Sequence, residues 1–172
     1  MHAMNPLTMN IAPQPQISED DGLRSEVFDD VYFNTEHVLE ATSHDYLAGN
    51  DLQQRWQAGI DQESFVVAET GFGSGLNFLL TAFEWQKFLQ NTSSSTDTST
   101  STDTSTATNK AKTKSQHKQL HYVAFEKRPF LAGDFARASL HWPELTPLVK
   151  QFQQKYPSIR YGRQRIVFSE IN

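Results

Sequence analysis

The sequence contains no cysteine at all. That excludes disulfide cross-links and thiolate metal sites, and it fits a reducing compartment. Long apolar runs are missing too: none approaches the roughly eighteen residues that a membrane-spanning helix needs. The opening residues, MHAMNPLTMN, lack the basic start and continuous apolar stretch of a secretory signal. A soluble, cytoplasmic protein with no membrane partner is expected. Apolar residues make up only 37% of the 172, so parts of the chain must lie outside any core. Basic residues are scarce at first: residues 1–109 carry 3 against 16 acidic ones, whereas residues 110–172 carry 12 against 4. The net charge of −5 therefore conceals a basic C-terminal third. Such polarity suits either an anionic partner or an unevenly charged, solvated surface.

What is present divides the chain. Residues 1–26 are polar, with Pro6, Pro13 and Pro15, and read as a flexible leader; residues 27–172 carry the pattern of an α/β domain. Residues 29–50, DDVYFNTEHVLEATSHDYLAGN, mix aromatics with turn formers and predict short strands or a hairpin. DLQQRWQAG then predicts a short helix ended by Gly59. Phe65 to Ala68 predicts a buried strand, and Leu76, Phe78, Leu79, Leu80, Ala82, Phe83, Trp85 and Phe88 give the following helix a broad apolar face. A Ser/Thr-rich stretch at about 91–119 interrupts the domain, with the unit STDTST at 95–100 repeated at 101–106. It offers no apolar side chains to offset the entropy of ordering its backbone, so a disordered insert is expected. Order resumes with a strand from Tyr122 to Phe125 ending at Glu126. A helix over FLAGDFARASLHWPEL follows, stopped by Pro143, then one over TPLVKQFQQKYP, and a third strand over RQRIVFSEIN.

Strand, glycine turn, helix is an arrangement that sets backbone N–H groups at a helix N-terminus, and several ligands use it. A phosphate-cradling loop needs GxxxxGK[ST], but no lysine follows these glycines. The dinucleotide fingerprint GxGxxG would need glycine at position 76, which is Leu76; the third glycine comes one residue early, at Gly75. What remains is Glu69-Thr70-Gly71-Phe72-Gly73-Ser74-Gly75, an acid two places before GxGxG. A carboxylate there suits a cationic sulfonium donor and repels a pyrophosphate. Glu126 lies 51 residues past Gly75; discounting an insert of roughly 28 leaves about 23, near the interval at which a second acid meets ribose hydroxyls. Capping of a strand and pairing with Lys127 or Arg128 is the plainer role for Glu126. The six histidines do not suggest a metal site.

The motif ETGFGSG resembles motif I of the class I S-adenosylmethionine-dependent methyltransferases. The blocks DDVYFN, YLAGNDLQQRW, FVVAETGFGSGLNFLL, HYVAFEKRP and LHWPEL, in that order, resemble the N-terminal methyltransferase domain of the bacterial tRNA 5-methylaminomethyl-2-thiouridine biosynthesis bifunctional protein family, MnmC. That resemblance implies a Rossmann-like fold, with only the first half of its doubly wound sheet in this sequence. It implies methylation of 5-aminomethyl-2-thiouridine in tRNA by S-adenosylmethionine. In the family a second, FAD-dependent domain prepares the amine; neither that domain nor the acidic catalytic loop expected after a later strand is found in these residues. The expectation is thus an incomplete domain whose partner is its missing C-terminal part, with no catalytic residue to name. By the same resemblance Glu69, Gly71, Phe72, Gly73, Gly75, Asn77, Glu126 and Lys127 would bind the donor. Tyr32, Phe33 and Asn50 would lie near the donor or the incoming base. Lys150, Lys155, Arg160, Arg163 and Arg165 would face tRNA or simply solvent. The alternatives are a non-catalytic truncated remnant or interaction module, and another S-adenosylmethionine-dependent or nucleotide-binding Rossmann enzyme.

Overall fold

Two small sheets and five α-helices share one aromatic-rich core in the computed structural model, which describes residues 17–18, 23–25, 28–33, 36–94 and 118–156. Strands β1 (Ile17–Ser18), β2 (Leu23–Ser25) and β3 (Asp30–Phe33) form an antiparallel meander in which Leu23 faces Phe33. Residues 17–18 and 23–25, which the sequence assigned to the flexible leader, are therefore strand, and Leu23 is fully buried.

The segment after β3 departs from the expected hairpin. Helix α1 (Val38–Thr42) runs directly into a π-helical turn, Ser43–Ala48, and α2 (Leu52–Ala58) follows. Past Phe33 there is no β-branched run, and Leu39, Glu40 and Ala41 are strong helix formers. The buried residues Val38, Leu47, Leu52 and Trp56 bring both helices onto the core. Gly59 ends α2 as expected, its N–H bonding the Arg55 carbonyl at 3.0 Å.

Strand β4 (Ser64–Thr70) pairs in parallel with β5 (Gln119–Phe125), Val67 beside Tyr122 and Thr70 beside Phe125. Helix α3 (Leu76–Ser94) connects them and packs against β5, completing a β-α-β unit. The buried-strand expectation holds on one face only. Val67 and Glu69 point inward, while Val66, Val123 and Phe125 stand on the other face and are 59%, 45% and 67% exposed. Alternation along a strand sends neighbours to opposite faces, so an unbroken apolar run does not by itself mean burial on both. Helix α3 continues through residues assigned to the insert, with the Thr92 hydroxyl bonded to the Phe88 carbonyl at 2.8 Å. The STDTST repeat lies in 95–117, outside the described residues, as do the expected strand at 163–172 and Arg160, Arg163 and Arg165.

Helix α4 (Ala132–Ala138) is shorter than the sequence suggested and gives way to 3-10 turns at Ser139–His141 and Pro143–Leu145. The proline disfavours helical backbone at Trp142, which takes φ −128° and ψ 60°. Helix α5 (Thr146–Lys155) buries Leu148 and Phe152 on one face as their spacing predicts. The Phe152 ring meets Phe135 at 4.9 Å, Phe78 at 5.5 Å and Phe72 at 5.9 Å. Those edge and tilted contacts lock α4 and α5 against the start of α3, beneath the glycine turn.

Candidate functional site

At their C-terminal ends β4 and β5 each deliver a carboxylate, Glu69 and Glu126, on either side of a glycine turn. All three glycines take positive φ: 84° at Gly71, 52° at Gly73 and 76° at Gly75. That region is strained for most L-residues, so glycine makes this sharp turn at the least cost. At Gly75 a side chain would also strike the Phe72 ring, 2.9 Å from the position of a Cβ. Gly71 differs: nothing lies within 4 Å of the place its Cβ would occupy. Its N–H extends the sheet ladder instead, bonding the Phe125 carbonyl at 2.8 Å.

Glu126 folds back onto this turn. Its Oε2 accepts the Gly73 N–H at 2.8 Å and its Oε1 accepts the Arg128 N–H at 2.6 Å. The carboxylate is thereby held at the helix mouth, where an anionic ligand would otherwise sit. Tyr32 closes the other side, its ring 3.6 Å from the Cβ position of Gly73 and edge-on to Phe130 at 4.7 Å. Tyr32 and Glu126 line a cavity of about 200 Å³ with Ser25, Phe28, Asp30, Val31 and Arg128. Burial and the nearby Glu126 charge raise the Tyr32 hydroxyl above its usual range.

Glu69 is buried, and both its oxygens are satisfied. The Asn77 amide donates to Oε1 at 2.7 Å and the Tyr122 hydroxyl to Oε2 at 2.9 Å. Burial pushes its carboxyl above the usual range, the two hydrogen bonds oppose this, and Glu126 adds a smaller upward push. Behind Tyr122 stands Tyr46, hydroxyl to hydroxyl at 2.8 Å. Burial lifts both phenols, Tyr122 far above the range in which it could ionise. A second cleft, of about 360 Å³, is lined by Phe33, Glu36, Val38, Ala41, Thr42, Asp45, Tyr46 and Asn77.

The expected site residues thus fall into groups. Glu69, Gly71, Gly73, Gly75, Asn77, Glu126 and Tyr32 converge on the turn. Phe72 contributes its backbone there, but its ring is turned into the core against Phe78 and Phe152. Phe33 lines the larger cleft and leans on Trp142 at 5.5 Å. Asn50 is exposed, its amide bonded to the Tyr46 carbonyl at 2.7 Å, which ties off the end of the π-helical turn. Lys127 points to solvent. Tyr46 and Tyr122 were missed. For Tyr122 a signal existed, since two residues from Ala124 in parallel register it shares the inner face with Glu69. Tyr46 carried none.

Among the described residues no group of three His, Asp or Glu side chains could hold a metal ion. No described helix is long and apolar enough to cross a membrane.

These elements define a mixed α/β protein whose parallel strands present two acids and a left-handed glycine turn. No protein-family model matches the chain. Individual relatives do, and each carries the name tRNA 5-methylaminomethyl-2-thiouridine biosynthesis bifunctional protein MnmC. The chain is 36% identical over 155 residues to that of Marinomonas sp., with 90% of this chain and 19% of the relative covered. It is 38% identical over 157 residues to that of Pseudomonas fluorescens, covering 90% and 20%. Against Aliivibrio fischeri it is 38% identical over 146 residues, covering 85% and 18%. The resemblance to MnmC read from the five sequence blocks is thereby shown along most of the chain, which spans about a fifth of the length of these relatives.

Proposed function

We propose that this chain binds S-adenosylmethionine at the glycine turn, as the donor-binding part of a Rossmann-like class I methyltransferase that modifies the wobble uridine of tRNA. The reaction would convert 5-aminomethyl-2-thiouridine to 5-methylaminomethyl-2-thiouridine, in the cytoplasm where tRNA is processed. The observation that carries this reading is the pair of strand-end carboxylates around three left-handed glycines, with the Glu126 carboxylate 2.8 Å from the Gly73 nitrogen.

The residues fit the donor in three ways. Two carboxylates favour a sulfonium and an ammonium and disfavour the pyrophosphate of a dinucleotide. The empty space over Gly71 admits a ligand against the backbone. Glu126, oriented by two backbone N–H groups, keeps acceptor capacity for ribose hydroxyls. When bound, the donor supplies a methyl group on a positively charged sulfur. The chain's own contribution is placement: Glu126 fixes the ribose end, Glu69 and Asn77 fix polarity beside the amino-acid arm, and Tyr32 shields the turn from water. Holding the methyl in line with an amine provides much of the rate in such a transfer. Exposed Lys150 and Lys155 on α5 give positive charge for the tRNA backbone.

Titration calorimetry tests this reading. S-adenosylhomocysteine gives saturable heat with the wild type, and Gly73→Val, which drives a branched side chain toward Tyr32, abolishes it. Folded wild-type protein without heat would sink the assignment, and thermal protection by NAD alone would favour a dinucleotide enzyme. A second reading, an interaction module without catalysis, draws on the exposed Val66, Val123 and Phe125. It predicts no heat with either ligand.

A further inference from the structure

Glu69 is buried, and two different elements hold its two oxygens. Asn77 reaches Oε1 from the first turn of α3, eight residues on, while Tyr122 reaches Oε2 from β5, 53 residues on. The second contact depends on a ring kept in place. Phe78 meets that ring edge-on at 5.1 Å, and the Tyr46 hydroxyl meets its hydroxyl at 2.8 Å. A phenol has one proton, and burial keeps that of Tyr122 in place. Facing an ionised carboxylate, Tyr122 donates there, so Tyr46 donates to Tyr122. Each bond in such a chain polarises the next, which makes Tyr122 a stronger donor than it would be alone. Tyr46 itself is delivered by the π-helical turn. The Gly49 N–H closes that turn on the His44 carbonyl, five residues back, at 3.0 Å, and the Asn50 amide ties off the Tyr46 carbonyl at 2.7 Å. A side chain on Gly49 would collide with the Asp45 carbonyl. Single π-helical turns recur at functional sites.

We propose that Tyr122 is a positioning residue for Glu69, held to that task by Tyr46 from the π-helical turn. The inference rests on the methyltransferase reading for what Glu69 serves, the binding of the donor. Facing Glu69 are Tyr122 with Tyr46 behind it, the Glu126 carboxylate just past β5, and the neutral Asn77 of α3. The two hydrogen bonds offset the burial that pushes its carboxyl up. Without the Tyr122 hydroxyl, Oε2 is buried and unpaired, and the charged form is the one that suffers.

Tyr122→Phe and Tyr46→Phe test it, because each deletes one hydroxyl and keeps the ring. The carboxyl ¹³C signal of Glu69, identified by its loss in Glu69→Gln, reports the titration of that group without any ligand. The expected result is a midpoint that moves up in Tyr122→Phe and less far up in Tyr46→Phe. In the Tyr122→Phe background Tyr46→Phe should add nothing, because the chain is already cut. Calorimetry with S-adenosylhomocysteine should show a loss of about tenfold in Tyr122→Phe between the two midpoints, narrowing at higher pH where both carboxyls are ionised. A Glu69 midpoint unmoved by Tyr122→Phe, or a Tyr46→Phe shift that adds in full, overturns the inference. So does a moved midpoint with S-adenosylhomocysteine affinity unchanged at every pH. Wild type that binds no S-adenosylhomocysteine, while the midpoints move as expected, overturns the methyltransferase reading and leaves the hold of Tyr122 on Glu69 standing. Should Tyr122→Phe not fold, Tyr46→Phe decides alone, and a midpoint that stays in place overturns the inference.

Discussion

Glu69 and the three glycines do different jobs within seven residues, and each job has its own signature. Burial holds the Glu69 carboxyl above its ordinary value of 4.5, so the folded state binds this proton more tightly than the unfolded chain. The resulting stability is fully present below the ordinary value and is lost as pH rises through the higher folded one. Glu69→Gln, with no proton to lose, should therefore show a flatter rise and fall. In urea unfolding followed from about pH 4 to pH 8, wild type loses ground to the variant as pH increases, and parallel profiles would contradict this. The glycines separate on stability. Gly71→Ala meets only the left-handed backbone cost of about 1 kcal/mol. Gly75→Ala adds the collision with the Phe72 ring and should cost about 2–4 kcal/mol. Equal midpoints in denaturant would show that the ring gives way. Glycine spacing and the two acids were legible in the sequence because a turn is a short-range object. The pairing of Tyr46 with Tyr122 was not, because that bond joins residues 76 apart in the chain and depends on the register of β5.

The β-α-β unit was the most readable element, since its periodicity changes from two to nearly four at the glycines. Errors gathered where a local pattern was silent about its surroundings. Residues 38–48 became helix because Val38 and Leu47 could both reach the core from one, and strand character was confined to Val31, Tyr32 and Phe33 upstream. The long helix expected before Pro143 broke earlier than the proline, because Trp142 had to leave helical geometry first. The insert boundary also moved, helix α3 claiming residues through Ser94. Deleting 92–108 would therefore cut into that helix, whereas deleting 95–108 would not. The shorter deletion should leave the dissociation constant for S-adenosylhomocysteine within about twofold, since changing loop length alters closure entropy only slowly. A tenfold loss would give the repeat a part in binding.

Across the whole molecule, polarity and packing point to the same end of the parallel strands. The helices gather on one face of β4 and β5, and their aromatic cluster braces the turn from below; the opposite face leaves Val66, Val123 and Phe125 in contact with water. Composition could indicate an α/β chain with an uneven charge, but not which face of the sheet would be covered, because two apolar faces look alike in sequence. Identity to MnmC proteins runs along nine-tenths of the chain and a fifth of theirs, so the glycine turn itself is the place to test the functional claim. The most direct measurement follows the backbone ¹⁵N–¹H signals of Gly71, Gly73 and Gly75 while S-adenosylhomocysteine is added. Binding at the turn predicts saturable shifts at all three, that of Gly73 altered further by Glu126→Gln. Saturable binding that leaves the three glycine signals in place, or no binding at all, would contradict it.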